Sequence, residues 1–290
     1  MELLRTLLFV PGNKDRLLDK APQAGADGLL YDLEDSVPAA ERQVAREKVR
    51  ARLQEPASVP RYVRINGVED AGPKEVEADL QAVVVPGLAG VVLPKPGSAD
   101  EARFVAATLD RCEREAGVEP GTIEIIPLIE SARGVYFCYE ILTATPRMAS
   151  VIIGSAEDAD LMTDLGCRWS LSGVELHYAR SKVLLEARAA GIRYPLDGVF
   201  PRINDIDGLV RDAENARNLG YRGKTVIHPS QIEPVNRVFT PTEKEIAYAR
   251  EMLEAYDAAV AAGSGAISFR GKMIDRAMVK AARELVARFR

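Results

Sequence analysis

The sequence has few of the residues that mark disulfide-linked or zinc-binding proteins. It contains 3 cysteines, which lie far apart at positions 112, 138 and 167, and 2 histidines. An odd number of cysteines without a C-x-x-C pair argues against a disulfide framework or a cysteine zinc site. The histidines form no H-x-x-x-H pair, which argues against a histidine zinc site. A reducing cytoplasm is therefore the expected location.

Long apolar runs and an excess of basic residues are missing as well. No stretch approaches the ~20 apolar residues of a membrane helix. The N-terminus has an acid at Glu2 and lacks the basic start and cleavage site of a signal peptide. The net charge is -5, from 38 basic and 43 acidic residues, which does not fit the basic footprint of a nucleic-acid-binding protein. With 47% hydrophobic residues among 290, the chain reads as a globular protein with a large core.

Short apolar runs alternate with longer amphipathic segments along the chain. Eight runs have the character of buried parallel strands, at residues 6–11, 28–33, 61–65, 90–94, 123–129, 149–154, 196–200 and 224–227. Crossover helices are clearest at 39–53, 99–116, 174–190 and 205–219. Eight βα units predict an α/β fold of the (β/α)8 TIM-barrel type. A doubly wound sheet is the main alternative, but the first strand leads into Pro-Gly-Asn-Lys-Asp-Arg instead of G-x-G-x-x-G.

The segment after residue 240 departs from the βα pattern. Thr242 and Glu245 have the spacing of a capping box, which predicts a helix from there to about residue 262. A glycine-rich turn and a final helix to Arg290 follow. We therefore predict a catalytic barrel domain at 1–240 and a C-terminal helical arm at 241–290 that packs on a neighbouring subunit.

Acidic residues follow several predicted strands, at the end of the barrel where catalytic groups of this fold lie. Glu130 and Asp158 follow two consecutive strands, which lie ~4.8 Å apart, so that both carboxylates can reach one cation. Two carboxylates with waters and substrate oxygens suit Mg²⁺. Glu34 and Asp35 add negative charge, and such a cluster without a cation raises its own pKa values. These acids can instead cap helices or pair with Arg133 and Arg168.

Basic residues are expected at the same end of the barrel. Arg5, Arg64 and Lys95 face it if the strands are assigned correctly, and arginine offers a planar fork for carboxylates, phosphates or a thioester enolate. Lys95 also raises the alternative of a Schiff-base aldolase, against a salt bridge to a strand-end acid. His228 is a candidate either for acid–base chemistry or for capping. The cysteines are expected to be structural.

A series of motifs then carries a family resemblance from residue 5 to residue 275. They are R-T-L-L-F-V-P-G-N (5–13), Y-D-L-E-D-S-V (31–37), V-R-I-N (63–66), L-P-K (93–95), I-P-L-I-E-S-A-R-G (126–134), G-S-A-E-D-A-D-L (154–161), G-K-T-V-I-H-P-S-Q-I (223–232) and G-K-M-I-D (271–275). In their number, order and spacing, the sequence resembles the citrate lyase β-subunit-like proteins of the HpcH/HpaI aldolase group. One departure is Ser155, where a second small or apolar residue is commoner in the family.

The resemblance implies a TIM barrel, Mg²⁺ and cleavage of a carbon–carbon bond in an acyl thioester. It implies that Glu130 and Asp158 ligate magnesium and that Glu34 and Asp35 hold metal-bound water. Glu130 is thereby also expected to contact the substrate.

The same resemblance assigns roles to basic residues and to the tail. It places Arg64 on the substrate, where the guanidinium can also stabilise the thioester enolate. It places Arg5 near the acyl thioester, and it leaves Lys95 a positioning role because no Schiff base is then needed. Asp275 in the tail is implied to reach the site of an adjacent subunit as an acid–base group. A homo-oligomer, a trimer or a hexamer, follows from the resemblance.

Together these observations predict a Mg²⁺-dependent lyase that cleaves a citryl-, citramalyl- or malyl-type thioester into an acetyl-thioester and a 2-oxo acid such as oxaloacetate. One alternative is the β subunit of a citrate lyase complex, acting on a citryl group on acyl carrier protein. Another is a metal-dependent aldolase of free 2-oxo acids. A non-enzymatic thioester-binding subunit is disfavoured, because the site acids are intact. The expected partner is thus an acyl-CoA or acyl-carrier-protein thioester, with no nucleic acid and no membrane.

Overall fold

The structure, a computed structural model, describes residues 3–288; Glu2 and Arg290 lie outside these residues. Within residues 3–288, eight parallel strands close into a barrel in chain order. The strands are β1 (Thr6–Pro11), β2 (Gly28–Asp32), β3 (Arg61–Arg64), β4 (Gly90–Pro94), β5 (Glu124–Ile129), β6 (Ile152–Ile153), β7 (Leu196–Asp197) and β8 (Gly223–Val226). The predicted TIM barrel is confirmed, and each predicted strand is present with its ends shifted by a few residues at most.

Helices follow the strands and surround the barrel. Those of the barrel unit are α1 (Asp15–Lys20), α2 (Arg42–Leu53), α3 (Val68–Ala71), α4 (Pro73–Val83), α5 (Ala99–Ala116), α6 (Ala132–Tyr136), α7 (Cys138–Leu142), α8 (Asp160–Leu165), α9 (His177–Ala189), α10 (Ile206–Leu219) and α11 (Ile232–Phe239). The four predicted crossover helices correspond to α2, α5, α9 and α10. At the start of two of them the chain makes a short 3-10 turn, at Ala39–Glu41 and at Val174–Leu176.

The side chains of each strand alternate between the inside and the outside of the barrel. The inner layer is a separate apolar cluster that includes Leu7, Leu30, Tyr62, Val92, Ile126, Leu128, Ile152 and Leu196. Their neighbours one residue away, such as Leu29 and Val63, belong to the larger core between the strands and the helices. Because both faces of each strand are buried, the strands appear in the sequence as nearly continuous apolar runs.

The pairing register of neighbouring strands preserves this alternation around the barrel. Asp32 of β2 pairs with Arg64 of β3, and Ile129 of β5 pairs with Ile153 of β6. β1 and β8 close the ring, with Thr6 opposite Lys224. Residues at equal height on neighbouring strands therefore reach the same end of the barrel together.

A second compact unit begins at Thr240, after the barrel unit has ended at Phe239. It consists of α12 (Glu243–Ala261), a hairpin of β9 (Ile267–Phe269) and β10 (Lys272–Ile274), and α13 (Arg276–Arg288). The predicted capping box is confirmed, since Thr242 accepts a hydrogen bond from the Glu245 amide and Glu245 accepts one from the Thr242 amide. The hairpin was not predicted from the sequence, which indicated only a glycine-rich turn.

The unit has a small core of its own, formed by Ala249, Met252, Tyr256, Ile274, Val279 and Ala282. Among residues 3–288, no helix is both long and apolar enough to cross a membrane. The three cysteines carry free thiols, and Cys112 and Cys138 are buried, as expected for structural residues.

Candidate active site

A cavity of about 580 Å³ opens at the carboxyl ends of the barrel strands. Its lining joins apolar side chains from inside the barrel with charged groups from the strand ends and the loops that follow them. The charged residues are Asp32, Asp35, Arg64, Glu130, Asp158 and Asp160. This is the end of a TIM barrel at which substrates bind.

The alternation within each strand explains which residues reach this cavity. Leu30, Tyr62 and Leu128 point into the barrel. Asp32, Arg64 and Glu130 stand two positions further along the chain, at the carboxyl ends of the same strands. Their polar side chains therefore also face inward, just before the loops begin. The inward-facing positions, two residues apart, are thus apolar inside the barrel and charged at its mouth.

Arg64 is the buried cation of the cavity, with its side chain 9% exposed. Its Nε and one terminal nitrogen donate to the two carboxylate oxygens of Asp32, both at 2.7 Å. The other terminal nitrogen lies 2.7 Å from Glu34 and 3.2 Å from Asp35. Burial opposes the charge, but the carboxylates of Asp32 and Glu34 outweigh it and raise the pKa of Arg64 above its usual value. Arg64 therefore stays charged and is held in one orientation.

Asp32 was not singled out by the sequence, although the same period of two residues points to it. Burial tends to raise its pKa, but the bidentate pair with Arg64 lowers it below the usual value. The Asp32 carboxylate also accepts hydrogen bonds from the amides of Glu34 and Ser36. It therefore fixes both Arg64 and the loop that carries Glu34 and Asp35.

Glu34 and Asp35 differ in environment although they are adjacent. Glu34 is buried, and burial, together with the nearby charge of Asp35, raises its pKa to about 7 despite the opposing effect of Arg64. The Asp35 side chain is 56% exposed. The pair therefore supplies one buried and one solvent-facing carboxylate beside Arg64.

Glu130 is a buried acid of the cavity. It is 7% exposed, and its Oε1 atom has no hydrogen-bond partner among residues 3–288. Burial raises its pKa to about 8, with a further contribution from the charges of Glu34 and Asp160, while Arg64 and Lys95 oppose the shift. Neither Glu130 nor Asp158 forms an ion pair with Arg133 or Arg168 in the described chain, so the alternative of a simple salt bridge for these acids has no support.

Glycine at position 154 keeps Glu130 in place. Gly154 follows β6, and a Cβ atom built on it would lie 2.5 Å from the Cβ of Glu130. Any larger residue would have to push the Glu130 side chain aside. The close approach of these two strand ends therefore depends on the absence of a side chain.

Asp158 and Asp160 both line the cavity from the loop after β6. Asp158 has a left-handed backbone, with φ of 57°. Asp160 begins α8, and its Oδ2 lies 3.0 Å from the Nζ atom of Lys95. The charge of Asp160, unlike that of Asp158, is among the largest influences on Glu130. Sequence reasoning missed Asp160, although the D-x-D spacing at 158 and 160 was a signal for it.

Lys95 follows β4 between two prolines and has φ of 49°, an uncommon backbone conformation for lysine. Its ammonium lies within 4 Å of the carboxylates of Glu34, Asp35, Asp70 and Asp160. Burial lowers its pKa, but the charges of Glu34, Asp160 and Asp35 outweigh burial and raise the pKa above the usual value. A protonated lysine is a poor Schiff-base nucleophile, so the geometry favours the salt-bridge alternative.

The prediction that Arg5 faces this end of the barrel is wrong. Arg5 directly precedes β1, so it lies at the amino ends of the strands, ~20 Å of strand away from the cavity mouth. Its guanidinium donates to the Asp27 carboxylate at 2.8 and 2.7 Å. The sequence motif that contains Arg5 also contains the cavity residue Phe9. The two residues lie at different heights in the barrel because Arg5 precedes β1, whereas Phe9 lies further along the strand.

Two other predicted residues lie elsewhere. His228 caps the short turn after β8, where its ring accepts a hydrogen bond from the Ser230 amide, and it does not line the cavity. Asp275 belongs to the second unit and is exposed. Its carboxylate accepts hydrogen bonds from the amides of Ala277 and Met278 at the start of α13. Its proposed action in a neighbouring subunit's site stays a prediction.

The donor set of the cavity fits a hard divalent cation. Within residues 3–288, no three His, Cys, Asp or Glu side chains surround a common metal position. Mg²⁺, however, commonly uses one or two protein carboxylates and takes its remaining ligands from water and substrate. The unpartnered Glu130 oxygen and its raised pKa are both features that a bound cation would relieve.

Comparison with known proteins identifies the family. The family model described as HpcH/HpaI aldolase/citrate lyase matches residues 5–229. This chain belongs to that family. Aldolases and citrate lyases, for which the family is named, both break carbon–carbon bonds, and this chain is a carbon–carbon lyase.

Individual relatives of this HpcH/HpaI family member match over nearly its full length. Citrate lyase subunit beta of Leuconostoc mesenteroides subsp. cremoris is 40% identical over 286 residues, which cover 98% of this chain and 92% of that protein. The (3S)-malyl-CoA thioesterase of Cereibacter sphaeroides is 31% identical over 286 residues, covering 98% and 94%.

Solved structures agree in fold. The protein CitE from Mycobacterium tuberculosis, in complex with magnesium, acetoacetate and coenzyme A, matches with a TM-score of 0.78 and 30% identity, covering 99% of this chain and 98% of that one. The citrate lyase beta subunit from the same organism, complexed with oxaloacetate and magnesium, matches with a TM-score of 0.67 and 30% identity, covering 82% and 98%.

Proposed function

We propose that this chain is a Mg²⁺-dependent lyase that cleaves a 3-hydroxyacyl thioester into an acetyl-thioester and a 2-oxo acid. The observation that carries the proposal is the cavity mouth, which is lined by buried Arg64, by loop carboxylates and by Glu130, whose Oε1 atom has no hydrogen-bond partner among residues 3–288. Relatives that act on malyl-CoA or were crystallised with magnesium, an oxo acid and coenzyme A support the substrate class.

Glu130 is proposed as one magnesium ligand, and the loop after β6 supplies the other. The sequence selects Asp158, and Asp160 is the competing candidate, because it lines the same cavity and its charge acts on Glu130. Asp158→Asn and Asp160→Asn separate the two, because a neutral amide in place of the ligand weakens Mg²⁺ binding in calorimetry whereas the other substitution leaves it nearly unchanged. When bound, magnesium supplies a Lewis acid for the oxygens of the substrate.

The chain's own residues account for the remaining steps of the reaction. The proton of the 3-hydroxyl passes to a base, the C2–C3 bond breaks, and the thioester enolate takes a proton to become the acetyl group. Arg64, fixed by Asp32, holds a permanent positive charge where the enolate oxygen develops its negative charge. The buried Glu34 and the exposed Asp35 are proposed to hold metal-bound water beside Arg64.

Asp275 is proposed as the acid–base group, acting in the cavity of a neighbouring subunit. The separate core of the second unit and the exposed carboxylate at the start of α13 support an arm that can serve another chain. A trimer or hexamer is expected in solution, measured by light scattering; a monomer would contradict the proposal. Mixing inactive Asp275→Asn subunits with inactive Glu130→Gln subunits is expected to restore part of the activity.

The first test of function is a cleavage assay on purified protein. Citryl-, citramalyl- and malyl-CoA are offered with Mg²⁺ or with EDTA, and acetyl-CoA and the released oxo acid are followed. Cleavage of one thioester with Mg²⁺ and none with EDTA is the expected result. Equal turnover in EDTA would contradict the metal-dependent mechanism.

The carrier of the thioester, coenzyme A or acyl carrier protein, distinguishes this proposal from the second candidate function. The match to a citrate lyase subunit beta favours, as second candidate, a subunit that acts on a citryl group attached to acyl carrier protein. Cleavage of citryl-acyl carrier protein with no activity on the CoA thioesters would establish that candidate. Rapid turnover of free hydroxy-oxo acids alone would instead indicate an aldolase.

Gly154→Ala is expected to reduce activity by at least about tenfold, because the new methyl group displaces Glu130 from its position. The loss should appear as weaker Mg²⁺ binding in calorimetry as well as slower turnover. Gly265→Ala is the matched control, since a Cβ atom there meets no other atom within 4 Å. Wild-type metal affinity in the Gly154 variant would show that Glu130 does not depend on this contact.

A reducing compartment such as the cytoplasm is the proposed location. The cysteines at positions 112, 138 and 167 are unpaired, which fits an environment that keeps thiols reduced.

A further inference from the structure

Four carboxylates surround the ammonium group of Lys95. The Nζ atom lies 3.0 Å from Asp160 and 3.2 Å from Glu34, with Asp35 at 3.6 Å and Asp70 at 3.8 Å. An ammonium has three N–H donors, so it cannot bond all four acids equally well. Lys95 therefore occupies the centre of an acidic cluster as a single positive charge.

The backbone holds Lys95 in this position. The residue stands between Pro94 and Pro96, and its amide donates to the carbonyl oxygen of Leu128 on β5 at 3.1 Å. Its φ of 49° lies in the left-handed region, which costs free energy for a residue with a side chain. The surrounding structure thus directs the lysine side chain over the acids after β2 and β6.

The cluster has an acid that the lysine does not satisfy. Glu130 is more than nine-tenths buried and lines the same cavity, and its Oε1 atom has no hydrogen-bond partner among residues 3–288. No ion pair within 4 Å joins Lys95 to Glu130 in the described chain. One buried oxygen thus remains available to a second cation, close to the carboxylates that Lys95 already holds.

We propose that Lys95 is a built-in competitor of the divalent cation: its ammonium neutralises Asp160 and Glu34 in the metal-free protein and gives up part of this contact when the metal binds. The inference rests on the proposed function, since it assumes a divalent cation at Glu130. Like charges repel, and an oxygen lone pair directed at the ammonium is not available to a metal ion at the same time.

The test is Mg²⁺ binding by isothermal titration calorimetry without substrate. Lys95→Met keeps the length of the side chain and removes its charge, so we expect Mg²⁺ to bind about tenfold more tightly than to the wild type. Lys95→Arg keeps the charge and is expected to bind within about threefold of the wild type. Lys182→Met is the matched control, because Lys182 pairs with Glu186 on α9, outside the cavity lining, and its loss should leave the affinity unchanged.

Equal or weaker binding by Lys95→Met would overturn the inference, because Lys95 would then organise the acids for the metal instead of competing with it. That result would leave the proposed function intact. A wild-type protein that neither binds Mg²⁺ nor cleaves any thioester would overturn the proposed function itself.

A second measurement does not depend on the folding of the methionine variant. Reductive methylation with ¹³C-formaldehyde labels Lys95 and keeps its charge, and the resonance is assigned by its absence from Lys95→Arg. Adding Mg²⁺ should move this resonance with the midpoint found by calorimetry. A resonance that stays in place at saturating Mg²⁺ would contradict the movement that the inference requires.

Discussion

Glu130→Gln is expected to abolish Mg²⁺-dependent turnover, with a fall in kcat/KM of at least about 10³-fold, because several kcal/mol of transition-state stabilisation by the metal are lost. The amide retains the size of the side chain but is a poor ligand for magnesium. Calorimetry should show the loss of Mg²⁺ binding directly. Full activity in this variant, or undiminished Mg²⁺ affinity, would remove Glu130 from the site.

The same substitution should not unfold the protein. The pKa of Glu130 is raised by burial from 4.5 to about 8, so the folded metal-free protein holds a proton that the unfolded chain has lost between these pH values. Its stability therefore falls as the pH rises from about 4.5 to about 8. Glu130→Gln lacks this contribution to the decline, while the contribution of Glu34 remains, and should be as stable as the wild type or more stable at pH 8 without metal.

Thermal melts of the metal-free proteins at pH 5 and pH 8 check this stability prediction. Glu233→Gln makes the same chemical change on the exposed face of α11, where Glu233 pairs with Arg237, and should alter neither activity nor the pH dependence. A Glu130 variant that melts much earlier than the wild type at pH 8 would mean that its inactivity reflects misfolding.

Asp197→Asn is expected to produce the largest loss of stability, about 3–5 kcal/mol in the free energy of unfolding. Asp197 on β7 is fully buried and accepts from the Arg180 guanidinium and the Lys224 ammonium, each at 2.6 Å. The asparagine cannot neutralise these two cations, which would then share Asp212 as their remaining acid. The penalty comes from leaving two buried positive charges with a single acid between them.

The position of Asp197 makes the barrel depend on this cluster. β7 has only two residues in the described chain, and it pairs with β6 at Leu196 alone. Few backbone hydrogen bonds therefore hold this part of the ring, and side-chain bonds between β7, β8 and α9 stabilise it. Ser155 extends the cluster towards the cavity, since its hydroxyl donates to Asp197 at 3.2 Å.

Urea unfolding followed by circular dichroism measures the effect. Asp100→Asn is the matched control, because Asp100 pairs with Arg103 on the exposed surface of α5, and such pairs contribute ~0–1 kcal/mol. Similar unfolding midpoints for the two variants would show that the buried charges around Asp197 are not needed to hold the barrel. A selective loss at Asp197 would establish them as a structural element of the fold.

The barrel and most of the cavity acids could be predicted from the amino-acid sequence. Apolar runs and crossover segments repeat eight times because every strand of the barrel is buried on both faces. The positions of Glu130 and Arg64 at the cavity could be predicted because each residue stands two positions beyond an inward-facing residue of the barrel interior. The two-residue period of the strand thus continues into the site. The capping box at Thr242 could be predicted because its contacts are local in the sequence.

Other features of the site depend on how distant segments of the chain fold together. Arg5 lies at the amino ends of the strands, although its motif also contributes to the cavity, because the two ends of one strand are ~20 Å apart. Asp160 and Lys95 meet across two loops that are 65 residues apart in the chain, which no local pattern encodes. Periodicity determines which face of an element is buried, whereas the electrostatic partners of a loop side chain depend on how separate loops fold over the same cavity.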